Sequence, residues 1–243
     1  MSSSSAPSTA GLTIKESLEL FLIAFNAAVA AFRPFSVTSF GASNLGDDHI
    51  LVTRDRQSHD QVPVGTSEAL KISYKKLNLC DTFCTIFYEA VETRLHSYDA
   101  DVEYAVIENP MPTQVLHIRN EKTSMPHSVL LIRKQDESEI IFDGTAEQLG
   151  WPVTNAIING DKFWHDYTHD GQYKLDLYHR DMSLEDHKEL CQGYWHKIGI
   201  SLRQMLQSFD WAMLEGMATS DREDYVRGKA TERARVVAQA CWG

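Results

Sequence analysis

The sequence predicts an α+β protein: an antiparallel sheet of about four or five strands, one apolar helix packed on it, and N- and C-terminal helices covering the remaining surfaces. Three observations predict this. Apolar residues recur at helical spacing from Thr13 to Phe32, from Asp81 to Leu95 and again beyond Ser183. Between the second and third of these stretches lie short β-branched runs separated by Pro, Asn, Lys or acidic residues. No repeat or linker divides the chain, so residues 13–243 read as one domain behind a small, polar, disordered tail at residues 1–12.

In the first helix Ile14, Leu18, Phe21, Leu22, Phe25, Val29 and Phe32 form one stripe. Thr13 and Glu16 suit a capping box at its start, and Pro34 closes it. Residues 35–70 mix Gly, Ser, Asp and Pro with short apolar runs, and a strand is expected only at 49–53 within irregular connections. The second helix carries Phe83, Ile86, Phe87, Ala90, Val91 and Leu95 on its apolar steps, with Asn78 as cap and Cys80 in the first turn. Strands are expected at 102–107, 114–118, 128–133 and 139–142, in antiparallel succession. The polar segment 134–138 (KQDES) reads as the turn of a hairpin, which would bring His127 and Asp143 side by side. Residues 144–182 are turn-rich and aromatic, as a covering loop or site wall would be. Ser183 can then cap a helical region running through 184–195, 198–217 and 224–240.

Composition narrows the function. Of 243 residues 43% are hydrophobic and 23% charged, which suits one substantial core. A net charge of −11 with no local Lys/Arg cluster disfavours nucleic acid and anionic membrane as partners. The most apolar stretch, 18–32, is shorter than the roughly 20 residues that span a bilayer, and Glu19 and Asn26 interrupt it. Cysteines at 80, 84, 191 and 241 lack the spacing of a secreted disulfide scaffold, and the start of the chain has no secretory signal pattern. Reduced thiols and a cytoplasmic location are expected. Cys80 and Cys84 share a helix face but offer only two soft ligands. His165, His169, His179 and His187 lie among Asp and Gly without the glutamate of a helical zinc motif, so they read as polar loop histidines, and neither metal nor cofactor is expected.

The order Cys80, His127, Asp143 carries chemistry. A thiol needs a neighbour that favours the thiolate, and both a helix N-terminus and an imidazolium do so. His127 would take the thiol proton and return it to the leaving group, Asp143 would fix the tautomer of His127, and the Cys80 N–H would stabilise the oxyanion. Asp81, next to the nucleophile, opposes this by repelling a thiolate. Cys84, one turn on, is the rival nucleophile, and His117 the rival base.

These residues resemble a family. The run 78–84 (NLCDTFC) is similar to the stretch around the nucleophile of transglutaminase-like cysteine proteins, within the wider papain-like fold. The runs 126–131 (PHSVLL) and 141–145 (IFDGT) resemble that family's histidine and aspartate strands, and 148–151 (QLGW) resembles an ending found in transglutaminase-like proteins of fungi. Asn78 stands where glycine is usual, Asp81 where an aromatic is common, and Cys84 in place of a small residue. The resemblance implies Cys80 as nucleophile, His127 as base and Asp143 as orienting carboxylate. Asn78, Gln148, Trp151 and Trp164 are expected around the acyl site. The implied activity is acyl transfer from an amide, ester or thioester donor through an acyl-thioenzyme, which water or an amine resolves by hydrolysis, transamidation or condensation. The alternative is a catalytically silent transglutaminase-like domain that binds a ligand or protein.

Overall fold

The computed structural model describes residues 11–118, 125–177 and 193–243. The expected helix start at Ser183, together with Cys191, His179, His187 and the first ten residues, lies outside the described residues. Helix α1 (Ile14–Ala31) begins with the capping box: the Thr13 hydroxyl accepts from the Glu16 N–H, and the Glu16 carboxylate accepts from the Thr13 N–H. Its stripe of Leu18, Phe21, Phe25 and Val29 is buried.

Residues 35–59 depart from the expected irregular connection. They form a long antiparallel hairpin, β1 (Phe35–Ser43) and β2 (Gly46–His59), with shifts in register at three points. Those shifts and the many polar residues break the period-two pattern that would have announced two strands. Helix α2 (Glu68–Lys76), capped by the Ser67 side chain, was not anticipated either. It packs over this hairpin through Tyr74, which joins Val37, Val52 and Leu116 in a small core.

Helix α3 (Cys80–Leu95) sits at the centre of the main core. It contacts α1, α5 (Tyr194–Gln207) and the strands β3 (Asp101–Ile107) and β5 (His127–Arg133). Because it is enclosed on several sides, it is apolar over most of its surface, and Phe83, Cys84, Ile86, Phe87, Val91 and Leu95 are all buried. Phe83 meets Phe25 and Phe142 edge-on, each at 5.0 Å between ring centres. Full burial of each such ring contributes about 1.5–3 kcal/mol.

The main sheet is antiparallel with the order β7 (Ile157–Asn159), β6 (Glu139–Phe142), β5, β3, β8 (Lys174–Leu175). Strand β5 is buried on both faces. Leu130 and Ile132 point into the α3 core, while Val129 and Leu131 meet a second core built on Leu149, Trp151 and Phe163. That is why its sequence is a continuous apolar run instead of an alternation. The turn after β5 closes as a tight hairpin, with the Lys134 N–H donating to the Ser138 carbonyl and Glu137 in the left-handed region.

Three further expectations need correction. The strand expected at 114–118, seen as β4 (Val115–His117), does not join the antiparallel succession; it pairs parallel with β2 in a separate three-stranded sheet. Its brevity gave no signal of partner or direction. The segment expected as a covering loop instead holds β7, β8 and helix α4 (Gly160–Tyr167), whose start is capped by Asn159. Likewise the run 198–217 is two helices, α5 and α6 (Trp211–Gly216), broken at Ser208–Asp210, where Asp210 caps the second; α7 (Thr219–Trp242) follows. Among the described residues no helix is long and apolar enough to cross a membrane.

Candidate functional site

Three chain segments meet at one end of the main sheet: the first turn of α3, the first residue of β5 and the residue after β6. They carry Cys80, His127 and Asp143. The hairpin register, with Leu130 opposite Phe142, returns the chain so that His127 and Asp143 face each other. His127 Nε2 donates to Asp143 Oδ2 at 2.7 Å. Cys80 lies close enough to the same imidazole to favour its charged form. His127 is 1% exposed and Asp143 fully buried, whereas Cys80 retains 8% exposure, so Cys80 is the most exposed residue of the trio.

Asp143 is locked by the residue two positions on. Its Oδ1 accepts both the Thr145 N–H at 2.8 Å and the Thr145 hydroxyl at 3.0 Å, an Asx-type turn that leaves Oδ2 for the histidine. Thr145 was not singled out from sequence, although the D-x-T spacing carries this signal. Gly144 between them passes so close to the Phe83 ring that a Cβ would overlap it, which ties the Asp143 turn directly onto α3.

The electrostatics follow from these contacts. Burial of the ring favours neutral imidazole, but the Asp143 carboxylate, aided by Cys80, outweighs it and pushes His127 up to about 10. Burial would raise Asp143, but the His127 charge and the two Thr145 hydrogen bonds overcome that and hold it below its ordinary value. Cys84 is fully enclosed one turn along, and burial pushes its thiol well up, with Cys80 and Asp81 adding to the effect. It is therefore held as a thiol in the core. His117, the rival base, lies in the other sheet with Nε2 at 2.5 Å from His49 Nδ1.

The folded-state pKa of His127 is above its unfolded value of about 6.5, so its contribution to stability is complete below that value and is lost as pH rises towards 10. Asp143 is depressed, so its contribution is complete above its unfolded value of about 3.9 and is lost as pH falls through its lowered pKa. The gap in unfolding free energy between wild type and the neutral double variant His127→Gln, Asp143→Asn should be widest from about pH 4 to 6.5 and narrow on both sides. Urea unfolding across pH checks this; a gap that is flat with pH contradicts it.

Asp81 does not face the thiol unpartnered. Its Oδ1 accepts from the hydroxyls of Ser128 and Tyr104, which project from β5 and β3 onto α3. Neither hydroxyl was identified from sequence, because each needs the strand face that the register selects.

The four residues expected around an acyl site are placed as follows. Asn78 is not the helix cap: Leu79 holds that position, without a side-chain cap bond, and Asn78 takes a left-handed conformation with φ 60°. Its N–H donates to Gln148 Oε1 at 3.0 Å. Gln148 lies in the short 3₁₀ turn Ala146–Leu149, and its Nε2 reaches both His127 Nδ1 at 3.0 Å and Thr145 Oγ1 at 3.3 Å. Trp151 is buried with its indole N–H donating to the Met111 carbonyl, and its face stands edge-on to His127 at 5.3 Å. It backs the imidazole. Trp164 lies farther along, stacked on Tyr173 and donating to Glu139. Beneath the 3₁₀ turn, Lys76 Nζ binds both Glu147 oxygens at 2.8 Å. His165 lies on α4 instead of in a loop, its Nδ1 at 2.7 Å from Asp166.

No family model matches this chain, and no curated protein or solved structure matches it. What the site can do therefore rests on its geometry: a thiol at a helix N-terminus, a base close to it, and a buried carboxylate fixing that base.

Proposed function

We propose that the protein is a cysteine-dependent acyl-transfer enzyme. Cys80 sulfur, its proton already held by the His127 imidazolium, attacks a carbonyl carbon, and the leaving group takes a proton from that ring as the acyl-thioenzyme forms. Water or an amine, deprotonated by the same ring, then attacks the thioester and releases Cys80. The observation that carries this reading is the convergence of Cys80, in the first turn of α3, with a buried His127 whose Nε2 is held by the buried Asp143 carboxylate.

Other features support it. Cys80 opens α3, so its backbone N–H, at the positive end of the helix, can serve a developing oxyanion. Ser128 and Tyr104 draw the Asp81 charge away from the sulfur, which weakens the objection raised by that residue's position. The sequence of a cysteine helix, a histidine strand and an aspartate strand in an antiparallel hairpin agrees with a transglutaminase-like, papain-like arrangement. The donor class is an amide, ester or thioester, and a cytoplasmic setting, where thiols stay reduced, suits the nucleophile.

The test is acylation by an activated ester. Incubation with p-nitrophenyl acetate should place acetyl on Cys80, mapped by peptide mass spectrometry, with rapid release of nitrophenolate that Cys80→Ser abolishes. Acetyl spread equally over Cys80, Cys84 and Cys241, or absent from Cys80, defeats the proposal.

A further inference from the structure

Gln148 has an amide with one acceptor and one donor end, and the structure fixes which way it faces. Its Oε1 is held by the Asn78 N–H, and Thr145 Oγ1, whose own hydrogen goes to Asp143, can only accept from Nε2. The amide is 6% exposed and cannot flip without setting donor against donor at Asn78. The end that reaches His127 Nδ1 at 3.0 Å is thus an N–H donor.

We propose that Gln148 is a positioning residue that restrains the nucleophile by holding an N–H against His127 Nδ1. This rests on the acyl-transfer reading above. An N–H aimed at Nδ1 stabilises the neutral ring with its lone pair free, and opposes a proton on that nitrogen. The Cys80 proton enters Nδ1 only as the Gln148 N–H withdraws, so the thiolate–imidazolium pair is less populated than Asp143 alone would make it. The charged and titratable groups around His127 are Asp143 on Nε2, Cys80 beside the ring, and Asp81 and Cys84 next along α3; Glu147, next to Gln148, is paired with Lys76. Trp151 supplies the uncharged wall. The hydrogen bond that the geometry gives Nδ1 is that of Gln148 Nε2, at 3.0 Å.

The experiment is the pH dependence of Cys80 alkylation by iodoacetamide, followed by peptide mass spectrometry, in wild type, Gln148→Leu, His127→Ala and the double variant. Gln148→Leu should move the acid limb of Cys80 reactivity down by about one pH unit, roughly a tenfold faster rate at a fixed pH on that limb, the size of one hydrogen bond beside a charge. In the His127→Ala background the same change should have no effect. A limb that stays in place or moves up in Gln148→Leu overturns the role of Gln148 while leaving the triad intact. Wild-type Cys80 no more reactive than Cys80 in His127→Ala overturns the triad itself. A second variant guards against a packing artefact: in Gln148→Glu an acceptor faces Nδ1, and ¹⁵N shifts of His127 should show imidazolium persisting to higher pH than in wild type. No change there also overturns the proposal.

Discussion

Asp143→Asn is expected to slow acylation of Cys80 by on the order of a thousand- to ten-thousandfold, with little change in fold. The reason is the asymmetry of the Asp143 contacts. Oδ1 is committed to the N–H and hydroxyl of Thr145, and Oδ2 to His127 Nε2. An asparagine keeps its oxygen on Thr145, since the Thr145 N–H demands an acceptor, and so turns its NH₂ towards His127. The ring must then present a lone pair at Nε2 and carry its proton at Nδ1, the nitrogen that should receive the proton of Cys80. Base and nucleophile then oppose each other donor to donor. The pre-steady-state burst of nitrophenolate from p-nitrophenyl acetate measures this directly, and a loss of less than tenfold would show that Asp143 does not set the tautomer.

The second large effect is on stability. Lys76→Met should destabilise the protein by about 3–5 kcal/mol, because Lys76 is 1% exposed and its ammonium is the partner of both Glu147 oxygens, so its removal strands a largely buried carboxylate. The ammonium also lies 5.7 Å from the Phe25 ring centre, so the site is continuous with the main core. Replacing both partners, Lys76→Met with Glu147→Leu, should recover most of the loss, since two apolar groups of similar volume remove the unpaired charge. Urea unfolding of the two single variants and the double variant provides the cycle. Additive losses would mean that the pair is not coupled.

Much of the fold was legible wherever one period dominated the sequence. The stripe of α1 with its Thr13–Glu16 box, the apolar α3, and the β5–β6 hairpin around a polar turn all came from local pattern, and all are present. What failed was non-local. The β1–β2 hairpin is polar and interrupted in register, so its pairing is not written in an alternation. Strand β4 is three residues long, and its parallel partner lies more than sixty positions upstream. Helix α2 exposes much of its surface and needs the second sheet to pack against.

The sequence by itself determined the order and residue types of the candidate site. It placed Cys80 in the first turn of a helix, and it placed His127 and Asp143 at the ends of two strands that a short turn must fold side by side. Only the tertiary structure decided how those groups are held. It assigned the Nε2 of His127 to Asp143, and Nδ1 to Gln148. It set Ser128 and Tyr104 on Asp81, and it buried Trp151 behind the imidazole instead of leaving it as an open wall. The physical reason is the range of each interaction. Helix and hairpin formation depend on residues a few positions apart, whereas a buried hydrogen bond depends on which side-chain atom is brought within 3 Å by elements packed from distant parts of the chain.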